Sequence, residues 1–322
     1  MNEYRNINKK YIEWKSSLHN SSIENIVEEV KEKGLIMDGN TIEIDFDERR
    51  LHTSIPWILG DMTGVDDNIV LDVLWKHLTI ASNIKKIDDI EDGMLTEVNG
   101  LSTSTVLNIY SILNMYEKYW LNIDDIIVPL FTSVNAQNED LTIMDKDNLS
   151  LDYFMKIMRD KNLSIQMLSS IYSKNSKIKK SDIDDFLNNF TIYAQIMDDI
   201  KDLEEDLVYE NSSHLIYQLR EKNSDICIDN ILNLLLKSWI LEKSLELAFE
   251  YLEKSINIVS DLQSNLDDSK KESSKNLVVF LSTELFNLKD IIESLNEKSV
   301  DELWNELKIS KIKKYIDRGA TS

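Results

Sequence analysis

The sequence predicts an all-α protein, and its composition and hydrophobic periodicity carry this prediction. The 322 residues include 7 Gly and 2 Pro, which are few turn-forming residues for this length. Hydrophobic residues make up 42% of the chain, enough for a folded core. Most stretches are rich in Leu, Ile, Lys, Glu and Asp, and their apolar residues recur about every 3.6 positions. No Ser-, Gly- or Pro-rich linker divides the chain, so we predict one domain over residues 1–322, with residues 1–20 as a candidate flexible N-terminal segment.

The periodicity predicts nine helices. They are expected at residues 21–33, 54–63, 67–87, 103–121, 149–174, 181–208, 228–262, 271–296 and 300–316. Two of them have N-cap signals: Ser181 precedes an acidic first turn, and a second cap is expected at Asn148-Leu-Ser-Leu-Asp152. Residues 40–47 alternate apolar and polar side chains, but one short strand would have no partner, so we predict a loop. Apolar stripes predict core positions at Ile231, Leu235, Leu241, Leu245, Leu252, Leu281, Leu285, Leu288, Ile292 and Leu295.

The charge balance restricts the partners of the protein. A net charge of −22 repels nucleic-acid backbones and anionic membranes, so neither is expected as the main partner. The N-terminus, MNEYRNINKKY, lacks the apolar core of a signal peptide, and no run of 18 apolar residues occurs. Cys227 stands alone in a mainly apolar context that we predict to be helical, so no disulfide framework is expected. We therefore expect a cytoplasmic protein without an integral membrane segment.

Adjacent aspartates occur six times in this acidic chain. Asp accounts for 32 of the 322 residues, so a pair alone has no diagnostic value. In two pairs a further Asp stands four residues after the first: Asp88-Asp89-Ile-Glu-Asp92 and Asp198-Asp199-Ile-Lys-Asp202. Each of these motifs lies near the C-terminal end of a predicted long helix, behind an apolar stretch. We treat these two motifs as candidate sites and give the other four pairs no functional weight.

Helical geometry explains why this spacing suits a metal. Positions i and i+4 of an α-helix lie about 40° apart on one face. Asp88 and Asp92 therefore share a face, as do Asp198, Asp202 and Asp206. Like charges at this spacing oppose helix formation by a few tenths of a kcal/mol per pair, and a divalent cation relieves the repulsion. Mg²⁺ prefers one or two carboxylates, retained waters and substrate phosphate oxygens, so two such clusters could clamp a diphosphate. The alternative for each motif is a solvated acidic helix face.

The residues around the motifs resemble the trans-isoprenyl diphosphate synthases and the class I terpene synthases, which share a fold. Gln195-x-x-Asp198-Asp199-x-x-Asp202 matches the second aspartate-rich motif of the family, Q-x-x-D-D-x-x-D, and Asp88-Asp89-x-x-Asp92 matches the first. Upstream, Arg49-Arg50 precedes an apolar helix that ends in a Gly-containing turn. Between the motifs, MRDKNLSIQML resembles the Lys-Thr segment of the family, with Lys161 in the lysine position and Asn162 in place of the threonine. The resemblance covers about residues 45–225.

The resemblance implies a class I terpenoid synthase bundle around a deep apolar pocket. It implies about three Mg²⁺ ions, with Mn²⁺ as a candidate substitute, and an allylic prenyl diphosphate of C10 to C20 as the substrate. Departure of the diphosphate would leave an allylic carbocation in a dry pocket. Family members are often homodimers, so a homodimer is a candidate assembly. The implied metal ligands and catalytic carboxylates are Asp88, Asp89, Asp92, Asp198, Asp199 and Asp202, and Asp206 extends the metal set.

The chain differs from the chain-elongating members of the family in its basic residues. These members bind isopentenyl diphosphate with Arg and Lys, including a pair shortly after the first motif, whereas residues 93–104 contain no basic residue. The segment after the second motif, Tyr209-Glu-Asn-Ser-Ser-His214, has no lysine, although Ser213 resembles a family threonine. We therefore predict a terpene synthase that ionises one allylic prenyl diphosphate to a cation that is cyclised, deprotonated or quenched. The alternatives are a polyprenyl diphosphate synthase or other prenyltransferase, and an inactive subunit of a heteromeric synthase.

Candidate contacts to the diphosphate come from the same comparison. They are Lys161, Gln195, Arg49, Arg50 and Lys201. For Lys201, an i,i+4 ion pair with Glu205 is an equal alternative. His77 and His214 are candidate general bases, although a lone His on an apolar helix is more often a structural group. Candidate aromatic residues lining the pocket are Phe154, Phe190, Tyr193, Tyr116 and Tyr119.

Overall fold

The structure, a computed structural model, describes residues 51–74, 76–77, 101–140, 142–143, 149–209, 213–222, 226–227, 230–295 and 297–307. All regular secondary structure in these ranges is helical, which confirms the predicted all-α class. No helix within them is long and apolar enough to cross a bilayer.

The helices are numbered in chain order. The first six are α1 (Leu51–Thr63), α2 (67–74 and 76–77), α3 (Leu101–Tyr119), α4 (Asp124–Asp140), α5 (Leu151–Lys161) and α6 (Met167–Lys174). The others are α7 (Lys180–Lys201), α8 (Leu203–Tyr209), α9 (His214–Lys222), α10 (Ile231–Lys237), α11 (Ile240–Leu262), α12 (Asp268–Ser294) and α13 (Val300–Glu306). Short 3₁₀ turns follow α5 at Leu163–Gln166 and α11 at Gln263–Asn265.

Three of the predicted helices are each divided into two or more helical segments. The helix expected over 149–174 is interrupted after Lys161 by the 3₁₀ turn. The helix expected over 181–208 bends at Asp202, between α7 and α8, where repulsion among closely spaced carboxylates opposes a straight helix. The helix expected over 228–262 is interrupted at Trp239, whose φ of 62° is left-handed.

Two helices, α4 and α9, were not predicted from the sequence. Helix α4 contains Pro129 and exposes much of its apolar surface, so no single buried stripe indicates it. Helix α9 has nine residues, which is too short for a clear period. The prediction for Cys227 was also wrong in part, since this residue is exposed and lies outside any helix.

Several predictions lie outside the described residues. These are the helix at 21–33, the loop at 40–47, the C-terminal parts of the helices at 67–87 and 300–316, Arg49 and Arg50, and the whole first aspartate motif.

The chain divides into two compact units. The first comprises Met1–Pro129, Ile165–Asp185 and Ile256–Thr283, and the second comprises Leu130–Ser164, Phe186–Ser255 and Glu284–Ser322. Each unit draws on three separate stretches of sequence. The single domain over residues 1–322 therefore stays a prediction.

In the first unit, α1 packs against α6. Trp57 and Leu59 of α1 and Tyr172 of α6 are fully or almost fully buried. The Tyr172 hydroxyl donates to the Pro56 carbonyl oxygen at 2.7 Å, and burial raises the pKa of this phenol well above its usual value. Helix α1 ends at Gly64, which has a φ of 67° and donates its amide to the Gly60 carbonyl oxygen at 2.8 Å. The predicted Gly-containing turn is therefore confirmed.

The second unit has a core built from one face of each helix. On α7 this face consists of Ile192, Ile196 and Ile200, spaced four residues apart and buried to at least 95%. Helices α5, α9, α10 and α11 contribute buried side chains to the same cluster. The predicted apolar stripes are confirmed as core, except that Leu285 and Ile292 are half-buried. This packing fixes the direction in which the opposite, acidic face of α7 points.

The predicted cap of α5 is also confirmed. Ser150 is the N-cap residue, and its hydroxyl oxygen accepts the Tyr153 backbone amide at 3.2 Å. Helix α5 therefore starts at Leu151, which places Phe154, Ile157, Met158 and Lys161 along one side of the helix.

Candidate functional site

The second aspartate motif lies at the C-terminal end of α7. The Asp202 amide donates to the Asp198 carbonyl oxygen at 2.9 Å, and the Asp206 amide donates to the Asp202 carbonyl oxygen at 2.8 Å. Helical hydrogen bonding thus continues across the bend. Asp198, Asp202 and Asp206 stand on successive turns of one face, as their spacing predicts.

The two adjacent aspartates of the motif have different surroundings. Asp198 is exposed, whereas Asp199 is buried, with 6% of its surface accessible. Asp199 Oδ1 accepts the Gln195 side-chain amide at 3.0 Å, and Asp199 Oδ2 lies 2.6 Å from His214 Nδ1. The His214 backbone amide, at the start of α9, donates to the same Oδ2 at 3.4 Å. Asp199 therefore joins α7 to the first turn of α9.

Asp199 also lines a cavity that lies within the second unit. The cavity opens to solvent, and its enclosed space is about 20 Å³, which is room for roughly one water molecule. Its walls come from the end of α4, one side of α5, the C-terminal part of α7 and the start of α9. The lining residues are Asp140, Phe154, Ile157, Met158, Lys161, Gln195, Asp199, Ser213 and His214. Three predicted site residues, Lys161, Gln195 and Asp199, are therefore brought together around one space.

Lys161 is held at this wall by two contacts with α4. Its ammonium lies 2.5 Å from Asp140 Oδ2, and its carbonyl oxygen accepts the Ser133 hydroxyl. The side chain is 22% exposed and its partner carboxylate is 14% exposed, so the pair is largely shielded from water. An ammonium has three donors, so Lys161 can hold Asp140 and a ligand oxygen together.

The other wall of the cavity is apolar. Phe154 is 5% exposed and its ring centroid lies 4.9 Å from that of Tyr217. Ile157 and Met158 follow on the same helix and are also buried. Of the five aromatic residues considered, Phe154 alone lines this cavity, while Tyr116 is 41% exposed. The deep apolar pocket stays a prediction.

The donor set of this region fits Mg²⁺ and a phosphate ligand. Among the described residues, no three Asp, Glu, His or Cys side chains converge on one point. Mg²⁺ does not require such a cage, because it keeps waters and binds through one or two carboxylates and substrate phosphates. The Ser213 hydroxyl supports the fit: it is buried at the cavity wall and has no hydrogen-bond partner within the described part of the chain. A ligand oxygen in the cavity would satisfy it.

Four predicted site residues within the described ranges do not line the cavity. Asp198 is exposed, and Lys201, Asp202 and Asp206 are half-buried. Their roles stay predictions.

Asp140 and Ser244 were not found from the sequence, and His214 was noted only as a general base. His214 Nε2 lies 3.1 Å from Ser244 Oγ of α11, so a chain of polar contacts links α7, α9 and α11. These contacts depend on tertiary packing, and no spacing along the chain indicates them. Ser213 could be noticed from the sequence, because it follows the second motif and resembles a family threonine.

Comparison with known proteins adds one finding. Neither a protein-family model nor a curated protein sequence matches the chain. A solved structure described as a geranylgeranyl pyrophosphate synthetase from the archaeon Geoglobus acetivorans has a similar fold, with a TM-score of 0.65 and 16% sequence identity. The similarity covers 87% of this chain and 98% of that one. The chain therefore has the fold of the trans-isoprenyl diphosphate synthases.

Proposed function

We propose that this protein is a Mg²⁺-dependent class I terpene synthase that ionises one allylic prenyl diphosphate. The observation that carries the proposal is the cavity at the end of α7, where Lys161 and Gln195 meet Asp199 of the second aspartate motif. The fold supports it, because that fold is shared with a synthetase that handles prenyl diphosphates. The first aspartate motif would supply further carboxylates, and that part of the proposal rests on the sequence alone.

A single diphosphate substrate suits the charge of the cavity. Among the described residues that line it, Lys161 is the one Lys or Arg, and it is paired with Asp140. Isopentenyl diphosphate would bring a second polyanion, which requires cations of its own. Residues 93–104, where the chain-elongating enzymes carry basic residues, contain none here. The proposal therefore assigns one diphosphate to this enzyme.

The proposed reaction begins with heterolysis of the bond between the allylic carbon and the diphosphate oxygen. Both electrons leave with the oxygen, and the carbon chain keeps the positive charge. Bound Mg²⁺ supplies charge neutralisation on the leaving oxygens. Lys161 adds a further positive charge, and Phe154, Ile157 and Met158 exclude water on one side of the cavity. Loss of a proton from the cation gives an olefin, and capture of water gives an alcohol.

A prenyltransferase is the second candidate, and the fold similarity favours it. The similar solved structure is a geranylgeranyl pyrophosphate synthetase, so the same cation could be transferred to isopentenyl diphosphate or to another acceptor. Both candidates share the ionisation step and differ in what captures the cation.

The experiment gives the purified chain Mg²⁺ and C10, C15 or C20 allylic diphosphates, with and without isopentenyl diphosphate. We expect a hydrocarbon or alcohol without isopentenyl diphosphate, detected by gas chromatography. Asp198→Asn should lower the rate by roughly 10³-fold, because losing several kcal/mol of charge stabilisation has this effect. Asp261→Asn, which changes an exposed aspartate of α11, should leave the rate unchanged.

Each other outcome points to a specific alternative. If longer diphosphates form, and only when isopentenyl diphosphate is present, the protein is a prenyltransferase and not a terpene synthase. An absence of turnover with every substrate would support the inactive-subunit alternative. A rate that is unaffected by Asp198→Asn and Asp89→Asn would refute the metal site.

A further inference from the structure

The ion pair between Lys161 and Asp140 lies directly at the cavity. Both residues line it, and the Lys161 ammonium lies 2.5 Å from Asp140 Oδ2. The two side chains are mostly shielded from solvent, so water screens their attraction only weakly. The positive charge of Lys161 is therefore already compensated by a carboxylate of the chain itself.

Asp140 occupies an unfavourable position for a carboxylate. It is the last residue of α4, where the carbonyl ends of a helix give a partial negative charge. The last turn of α4 contains no basic residue. Lys161, which is 21 positions further along the chain, supplies the cation that this carboxylate needs. The C-terminal end of α4 therefore adds negative potential at the Lys161 ammonium.

The other charged groups near the cavity do not offset this negative potential. Asp199 brings a second carboxylate to the wall, and its oxygens accept from the Gln195 side-chain amide and the His214 backbone amide. Lys156 and Arg159 of α5 do not line the cavity, and both pair with Asp160. An anion that reaches the cavity alone therefore meets two carboxylates and an ammonium that is already paired.

We propose that Asp140 is a specificity-determining residue that competes with anionic ligands for Lys161 and prevents a free diphosphate from binding there. A free diphosphate has to share the ammonium with Asp140, at a distance where like charges repel strongly. A diphosphate that arrives with divalent cations brings its own compensating charge. This inference rests on the proposed function for the diphosphate as ligand, but it concerns affinity and not turnover.

The test measures binding of inorganic diphosphate to the full chain by isothermal titration calorimetry, in a buffer that contains EDTA and no divalent cation. Asp140→Asn should raise the affinity at least about tenfold over wild type, because a unit charge a few ångströms away at a partly buried site is worth more than this factor. In a second titration with Mg²⁺ the gain should shrink to less than about threefold, because the cations then compensate the ligand.

Two control variants separate this competition from a general change in charge. Asp152→Asn removes the same charge from an exposed position of α5, nine residues before Lys161 and about 13 Å away along the helix. It should change the affinity by less than about twofold, because solvent and salt screen a charge at this distance. The double variant Asp140→Asn/Lys161→Met should lose the gain, because the ammonium is the group that the anion contacts.

Several results would overturn the proposal. Unchanged or weaker binding in Asp140→Asn would show that Asp140 only positions Lys161. A gain that persists in the double variant would show that the effect does not act through Lys161. Circular dichroism verifies folding, and if Asp140→Asn is unfolded, Asp140→Ser takes its place in the same titrations. An absence of turnover with every allylic diphosphate would refute the terpene synthase alone, because these affinities are measured without a reaction.

Discussion

The carboxylate of Asp72, on α2 in the first unit, contacts three donor groups. Its carboxylate lies 2.6 Å from Lys76 Nζ, 2.7 Å from Lys118 Nζ and 2.5 Å from the Tyr119 hydroxyl oxygen. Lys76 is 1% exposed, so this ammonium depends on nearby carboxylates for compensation. Tyr119 was a candidate for the wall of the substrate pocket, but its hydroxyl is bound to this cluster.

The same contacts determine the protonation of Asp72. Burial by itself would raise the pKa of this carboxyl, but hydrogen bonds from Lys118, Lys76 and Tyr119 outweigh burial and lower the pKa below 3.8. A lowered folded-state pKa contributes stability that is complete above the unfolded value of 3.8. This contribution is lost as the pH falls through the folded-state pKa.

Asp72→Asn should therefore destabilise the protein at pH 7. We expect a loss of about 3 kcal/mol in the free energy of unfolding, measured with urea, because buried Lys76 then lacks this carboxylate. The difference from wild type should shrink as the pH is lowered below 3.8. Lys118→Met is the matched control: Lys118 is 52% exposed, so its loss should cost less than about 1 kcal/mol. Equal losses of unfolding free energy in the two variants would contradict the conclusion that the burial of Lys76 makes the loss of Asp72 costly.

At the scale of elements, helices α1 and α2 approach each other closely at Gly60. A Cβ atom at this position would lie 2.6 Å from Val70 Cγ2. Val70 is 1% exposed, and its branched side chain has little freedom to move. The glycine is therefore required by packing and not by backbone conformation.

Gly60→Ala should lower the free energy of unfolding by about 1–2 kcal/mol. The overpacking cost exceeds the gain in helix propensity, which is about 1 kcal/mol. In the double variant Gly60→Ala/Val70→Ala the clash is absent, so the summed costs of the single variants should exceed that of the pair by at least about 0.5 kcal/mol in urea unfolding. Strictly additive costs would show that the two helices adjust without strain.

The elements also show which parts of the fold sequence periodicity can predict. Helices α11 and α12 were predicted because each buries a regular apolar stripe. The break before α11 was missed because Trp239 occupies a left-handed position that usually carries Gly or Asn. Helix α4 was missed because Ile127, Val128 and Phe131 are exposed, so its apolar residues do not follow one buried face.

The candidate site divides in the same way. The shared face of Asp198, Asp202 and Asp206 could be predicted from helical spacing. Lys161 could be predicted because the segment MRDKNLSIQML resembles the Lys-Thr segment of the family. The contacts of Asp199 with His214, and of His214 with Ser244, join residues 15 and 30 positions apart. Such contacts are decided by how the helices of the second unit pack, which a single sequence does not encode locally.

At the scale of the whole molecule, the first unit has an exposed apolar surface on α3, the following turn and the start of α4. We call it the α3–α4 face. It consists of Ile109, Leu113, Tyr116, Trp120, Ile123, Ile127 and Val128, which are 38–85% exposed. Ile109, Leu113 and Tyr116 are spaced by four and three residues, so they form one stripe along α3, and Trp120 follows the helix with a φ of 51°. The seven residues together expose on the order of 700 Å², above the roughly 300–600 Å² of the largest patch on a typical monomer.

The charge around this face suits a second copy of the chain. Residues 101–128 contain Glu117, Lys118, Asp124 and Asp125 as their charged residues, a smaller charged share than the 29% of the whole chain. Two chains of net charge −22 repel each other over most of their surfaces, and a face with few charges is where they can approach. Its area is close to the roughly 800 Å² that each partner contributes to a standard interface.

We therefore expect a homodimer through the α3–α4 face, measured by sedimentation velocity at micromolar concentration. Leu113→Glu, at a site 55% exposed, should shift the protein to monomer, because burying two new carboxylates at the interface costs several kcal/mol. Val279→Glu is the control: it changes an apolar residue on α12 that is 63% exposed and lies outside the face, so the dimer should persist. Circular dichroism would verify that both variants are folded. A monomeric wild-type protein would refute the dimer. Equal dissociation of the two variants would show that the interface is not formed by this face.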